Sequence, residues 1–197
     1  MGHEGFNQAP DEEAPRRIEK ERRFEDAVHQ VETITDGRGK GIDAGIKESV
    51  ALLSSMDVNT TQSCEGHEDW GTGGPYIDIE AKEATTLNGR LRELDKQKGK
   101  GSDDVEIEKI RGEILKLNLE ERRKVIPILE EFYKDRSVPY DIKLGIKQMA
   151  RGWSRIENQG VEFQDIENDP AKKKEMLQKF QAEMAEFTRF MKDKFFA

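Results

Sequence analysis

Between Val105 and Phe132 the chain sets Ile107, Ile110, Ile114, Leu117, Ile128, Leu129 and Phe132 at the spacing of one helical stripe. An apolar stripe of that length has to be covered, so the fold must be built on packed helices. Pro127 is expected to bend or divide this helix. Just ahead of it, Ala84, Leu87, Leu91 and Leu94 mark a second stripe, and Gly99 and Gly101 permit a reversal between the two. Ser102 or Asp103 can cap the second helix. An antiparallel helical hairpin over about residues 81–135 is predicted, its stripe filling an intramolecular core or joining two copies in a homodimer.

Three further helices are expected. Phe24, Ala27, Val28, Val31 and Ile34 recur at helical spacing from Arg16 to near Asp36-Gly37, and Ile42, Ile46, Val50 and Leu53 do so up to Ser55-Met56. Asp169-Pro170 is a capping carboxylate followed by a proline suited to a first turn. After it Leu177, Phe180, Met184, Phe187 and Met191 form a stripe, with Phe190, Phe195 and Phe196 as extra aromatic surface. Residues 1–15, with two prolines and no apolar periodicity, read as a flexible arm ahead of a single domain over 16–197.

Short stretches break the helical pattern. Val58 to Thr61 is rich in β-branched residues, and Tyr76 to Glu80 alternates, with Ile77 and Ile79 on one face and Tyr76, Asp78 and Glu80 on the other. Residues 141–147 and 153–157 also alternate; a helix over Ile142, Ile146 and Met149 is the rival, but Gly145 and Gly152 weaken it. The predicted fold class is α+β, a small and mainly antiparallel sheet flanked by long helices that include the hairpin.

The chemistry concentrates in one place. Ser63-Cys64-Glu65-Gly66-His67 holds the single cysteine and one of three histidines, the residue types best suited to nucleophilic, proton-transfer or metal chemistry near neutral pH. Cys64 as nucleophile, His67 as base and Asp78 as orienting acid would form one constellation. Cys64, His67 and Asp69, with Asp78 or the distant His29 as further candidates, would form a metal site. A polar pocket is the third expectation: Ser63, Glu65 and Gly66 would meet a ligand, while Arg151, Arg155, Lys143 or Lys147 would neutralise an anion beside Trp153. Gly37-Arg38-Gly39-Lys40-Gly41 looks like a phosphate loop, but Lys40 is followed by Gly41 and no strand precedes it, so a flexible basic connector is the reading.

Composition narrows the partners. A formal charge of -8 repels phosphates over the whole surface and argues against extensive non-specific nucleic-acid binding. Hydrophobic residues make up 34% and charged residues 38%, so much of the helical surface faces water or a partner. No apolar run approaches the roughly 20 residues of a spanning helix, no secretory segment stands at the start, and one cysteine forms no internal disulfide. The expectation is a cytoplasmic protein binding an anionic, nucleotide-like or otherwise phosphorylated small molecule at the Cys64/His67 pocket. Its rivals are a helical interaction protein and a metal-assisted or cysteine-dependent hydrolase.

Thr60-Thr61-Gln62-Ser63-Cys64-Glu65-Gly66-His67, followed by Pro75-Tyr76-Ile77-Asp78-Ile79, resembles a group of bacterial and phage-associated proteins with a Ser-Cys-Glu-Gly-His motif between a helix and a strand. The resemblance runs from about Gly41 to Glu80 and implies a shared site without an accepted activity. Ser63, Cys64 and Gly66 are also similar to the Ser-Cys-Ser-Gly-Arg turn of the wybutosine-synthesis methyltransferases that act on transfer RNA. Glu65 and His67 stand where that family has Ser and Arg, and methyltransferase activity is not carried over.

Overall fold

The computed structural model describes residues 13–68, 73–96 and 104–197. The elements run α1 (Glu13–Thr33), α2 (Ala44–Ser55), β1 (Thr60–Cys64), β2 (Tyr76–Glu80), α3 (Lys82–Lys96), α4 (Asp104–Tyr133), β3 (Leu144–Gln148), β4 (Trp153–Asn158), a 3-10 turn at Val161–Asp165, and α5 (Pro170–Phe196). The strands form one antiparallel sheet in the order β1-β2-β4-β3. The α+β expectation therefore holds, with strands rather than a helix over 144–158. Of the arm predicted over 1–15, residues 1–12 lie outside the described residues and Glu13–Pro15 already belong to α1; Gly99, Gly101 and the Ser102 or Asp103 cap also lie outside them.

Alternation along the strands separates two environments. Ile77, Ile79, Ile156 and Leu144 turn to one face and are buried, where they meet Ile46, Val50, Leu53, Val125, Leu129, Met184, Phe187 and Met191 from α2, α4 and α5. This sheet-on-helix layer is the main core, and its apolar burial is the dominant favourable contribution to folding. A separate small core of Ala81, Ala84, Ile110 and Ile114, flanked by Leu87, Leu91, Leu94 and Leu117, holds α3 against α4 as the hairpin predicted from their stripes.

The aromatic end of α5 is spent on the fold. The Phe196 ring meets Phe24 of α1 edge-on at 5.6 Å, and Phe132 of α4 lies 5.2 Å from Phe187 and 5.3 Å from Phe190. Asp169 caps α5 as its sequence implies, accepting from the Ala171 N–H at 2.9 Å. A polar knot ties the same region: the Tyr133 hydroxyl donates to Glu183 and accepts from the Leu144 N–H, and Arg136 grips the Glu183 carboxylate.

Two sequence expectations are corrected and one is narrowed. Of the bend or division expected at Pro127, division does not occur, since α4 is continuous from Asp104 to Tyr133; Pro127 and Arg123 both face water, so the Arg123 carbonyl that the proline leaves without an N–H partner can be hydrated. Helix α1 stops at Thr33, leaving Ile34 45% exposed rather than on a buried stripe. The basic connector folds on itself: the Asp36 carboxylate accepts from the N–H groups of Arg38 and Lys40, and Thr35 pairs with Gly41.

Replacing Phe187, which is fully buried in the main core, by Ala should lower the unfolding free energy by about 3–5 kcal/mol. Gly112→Ala should raise it by about 0.5–1 kcal/mol, because the new methyl meets no atom on the exposed side of α4. Urea denaturation of the two variants checks both signs.

Candidate metal centre

Strand β1 carries its chemistry to its last residue. Cys64 ends the strand opposite Tyr76 and is buried, and the chain then turns through Glu65 and Gly66 to His67. Gly66 has φ +81°, and a Cβ there would lie 2.7 Å from the Gly74 carbonyl carbon and 2.8 Å from Leu177 Cδ1. Only glycine makes this turn without strain. The turn aims the Gly66 N–H at Cys64 Sγ, 3.4 Å away. From α5, Gln181 holds the turn by donating to the Glu65 and Gly66 carbonyls.

The third member comes from a different element. Asp43, immediately before α2, lies with Oδ2 3.3 Å from His67 Nε2 and accepts from the Glu65 N–H at 3.4 Å, while Oδ1 is 2.7 Å from Lys40 Nζ. One donor atom each from Asp43, Cys64 and His67 lie within 4.8 Å of one another. Burial would raise the Asp43 carboxyl, but the Lys40 ammonium, the Glu65 N–H and His67 together hold it below its ordinary value.

An exchange of roles frees Asp43 for this cluster. Its position is that of a helix N-cap, yet its side chain makes no capping hydrogen bond; Glu65 Oε2 instead accepts from the Gly45 N–H at 2.8 Å. The first turn of α2 is thus satisfied from the β1 side, and the α2 side supplies a carboxylate to the cysteine turn.

Other predicted site residues lie elsewhere or have other partners. Asp78 shares the sheet face of Cys64 but is gripped by Arg155, at 2.7 Å from Nε and 3.0 Å from Nη2. It is therefore Asp43, and not Asp78, that contacts His67. Burial raises the Asp78 carboxyl, and the guanidinium offsets only part of that rise. Arg155 stacks 3.7 Å above the Tyr76 ring and stands 5.5 Å from that of Trp153. The Trp153 pairing is legible in the alternation of β4; Tyr76 comes from the neighbouring strand. Lys147 is held by Glu157 and Glu162, and Lys143 lies 5.4 Å from the Tyr133 ring. Arg151 lines a second cleft of about 550 Å³ with Gln62, Asp78 and Trp153, and Ser63 lines the cleft at Cys64. His29 is exposed on α1, away from any cluster among the described residues; Asp69 lies outside them.

Asp43 and Cys64 line that cleft of about 430 Å³, which runs between the Ile34–Asp43 segment and the whole of β1. Asp43 escapes a reading of the sequence because the apolar spacing starts the second helix at Ile42, which makes Asp43 one more surface carboxylate. Comparison with protein-family models, with curated proteins and with solved structures finds no match for this chain. No helix among the described residues is long and apolar enough to cross a membrane.

Arg155→Met should destabilise the fold by about 3 kcal/mol, since it leaves the Asp78 carboxylate buried without its partner, only 2% of its side chain exposed. Without the guanidinium, burial raises Asp78 further. The folded state then binds a proton more tightly than the unfolded one, so stability falls as pH rises through that window. Chemical denaturation should show a deficit that shrinks as the pH is lowered and Asp78 takes up its proton; a deficit independent of pH contradicts the assignment.

Proposed function

We propose that this chain binds one divalent transition-metal ion through Asp43, Cys64 and His67, and uses the remaining coordination position for Lewis-acid or hydrolytic chemistry on a ligand in the adjoining cleft. The observation that carries the reading is the compact triangle of one oxygen, one sulfur and one nitrogen donor. Donors around a tetrahedral zinc sit about 3.3–3.8 Å apart, given bonds of about 2.0–2.3 Å. Three protein ligands and one open position are the pattern of catalytic rather than closed structural zinc.

The same triangle weighs against a cysteine protease-like relay. In a relay the thiol and the carboxylate address opposite edges of the imidazole, which separates sulfur from oxygen by more than about 6 Å. Here a carboxylate oxygen of Asp43 and the sulfur lie within 4.8 Å of each other. The surroundings suit a metal: Lys40 offsets part of the negative charge of the ligands, and its contact with Asp43 Oδ1 orients that carboxylate. An anionic ligand placed directly at Cys64 fits less well, because Lys40, Lys147 and Arg155 are all engaged by carboxylates.

Tag-free protein should carry close to one equivalent of zinc by elemental analysis. Cys64→Ser, His67→Ala and Asp43→Asn should each weaken zinc affinity by more than about 100-fold, and Lys40→Met by about 10-fold. Affinity should fall as pH is lowered, because protons compete for the ligand atoms. Substoichiometric zinc that is unchanged by Cys64→Ser would remove the proposal.

A further inference from the structure

The cleft at the metal centre is bounded along one side by a sheet edge. Strand β1 is the outermost strand and pairs only with β2, so part of its peptide groups face the cleft. The cleft is lined by every residue of β1 from Thr60 to Cys64, and across it by Ile34, Thr35, Asp36, Lys40, Gly41, Ile42 and Asp43.

The segment that could have covered this edge is occupied with itself. Asp36 and the Thr35–Gly41 bridge tie its first half into a turn, and Asp43 at its end reaches past the strand to the Glu65 N–H and His67. Among the described residues, no hydrogen bond joins it to the peptide groups of Thr61, Gln62 or Ser63. Natural sheets usually blunt such an edge with charge, proline or cover. The opposite edge strand, β3, carries Lys147, whereas β1 reads Thr-Thr-Gln-Ser-Cys, with no charge and no proline. Its one irregularity, the register shift between Thr60 and Gln62, leaves Gln62 to Cys64 in regular pairing with β2.

We propose that the cleft receives an extended polypeptide segment that adds as a strand to the free edge of β1 and so leads a backbone carbonyl to the open position beside Asp43, Cys64 and His67. Main-chain hydrogen bonds to β1 supply the affinity. Uncharged Thr, Gln and Ser side chains on β1 impose little choice of sequence, so the substrate class is defined by extended backbone rather than by a side-chain motif. Delivery of the carbonyl to a metal rests on the metal-centre reading; the strand addition does not.

The test is hydrogen–deuterium exchange of the full chain with and without a tryptic digest of reduced casein, whose peptides have no persistent structure, while zinc uptake is titrated on the same preparation. Exchange at residues 61–64 should slow by at least about fivefold at digest concentrations several times the dissociation constant. Thr61→Pro, at the register shift, should abolish that protection with an unchanged circular dichroism spectrum; if the variant does not fold, the wild-type comparison decides alone. Unchanged exchange at 61–64 overturns the strand site, even where zinc is taken up stoichiometrically. Protection without zinc uptake keeps the strand site and removes the metal centre.

Discussion

A single carboxylate holds the candidate site together. Asp43 touches Lys40 in its own loop, the peptide N–H of Glu65 and the ring of His67, joining the α1–α2 connection to the end of β1 across 20 or more residues of sequence. That position would ordinarily be spent on capping α2. It is available because Glu65 reaches back to the Gly45 N–H, so the two acidic residues satisfy each other's neighbourhood. The cysteine turn is fixed from the other side by Gln181 of α5 and by the close approach of Gly66 to Gly74 and Leu177. The cluster is thus held between rigid elements, which is what placing metal ligands to within a fraction of an ångström requires.

The sheet has two characters because its residues alternate. One face is dry and packed on helices. The other carries a ladder of paired charges: Asp78 with Arg155, then Lys147 with Glu157. These pairs cross adjacent strands at β2–β4 and β3–β4, and Tyr76 and Trp153 flank the guanidinium. The buried Arg155–Asp78 pair contributes little net stability but is costly to break, so it fixes the register of its strands, and the half-exposed Lys147 is likewise engaged rather than offering free charge to a ligand. The structure therefore moves the chemical interest from the arginines toward the thiol end of β1.

Much of the architecture is written locally and can be read from the chain. The hairpin stripes, the Asp169-Pro170 helix start and the alternation of Tyr76–Glu80 and Trp153–Glu157 each depend on neighbours within a few residues, and the elements appear where those patterns place them. Where spacing and structure part, tertiary contacts decide. Pro127 has an intrinsic tendency to bend or break a helix, but it does not divide α4, since it faces water while Val125, Ile128 and Leu129 anchor the helix on both sides. Ile34 fits the α1 stripe by spacing, yet the Asp36 turn takes the chain away first. Of the cluster, Cys64 and His67 are singled out by the sequence, whereas Gly66 is read there as a ligand contact and the structure gives it a left-handed turn packed on Gly74 and Leu177. Asp43 is not singled out, because nothing local distinguishes a carboxylate that caps its own helix from one that turns to a strand 20 residues onward.

The most direct test of a metal held by Asp43, Cys64 and His67 is X-ray absorption at the zinc edge of the zinc-loaded protein. One sulfur neighbour at about 2.3 Å is expected together with nitrogen and oxygen neighbours at about 2.0–2.2 Å, and loss of the sulfur shell in Cys64→Ser. A shell of light atoms alone in the wild-type protein would contradict it.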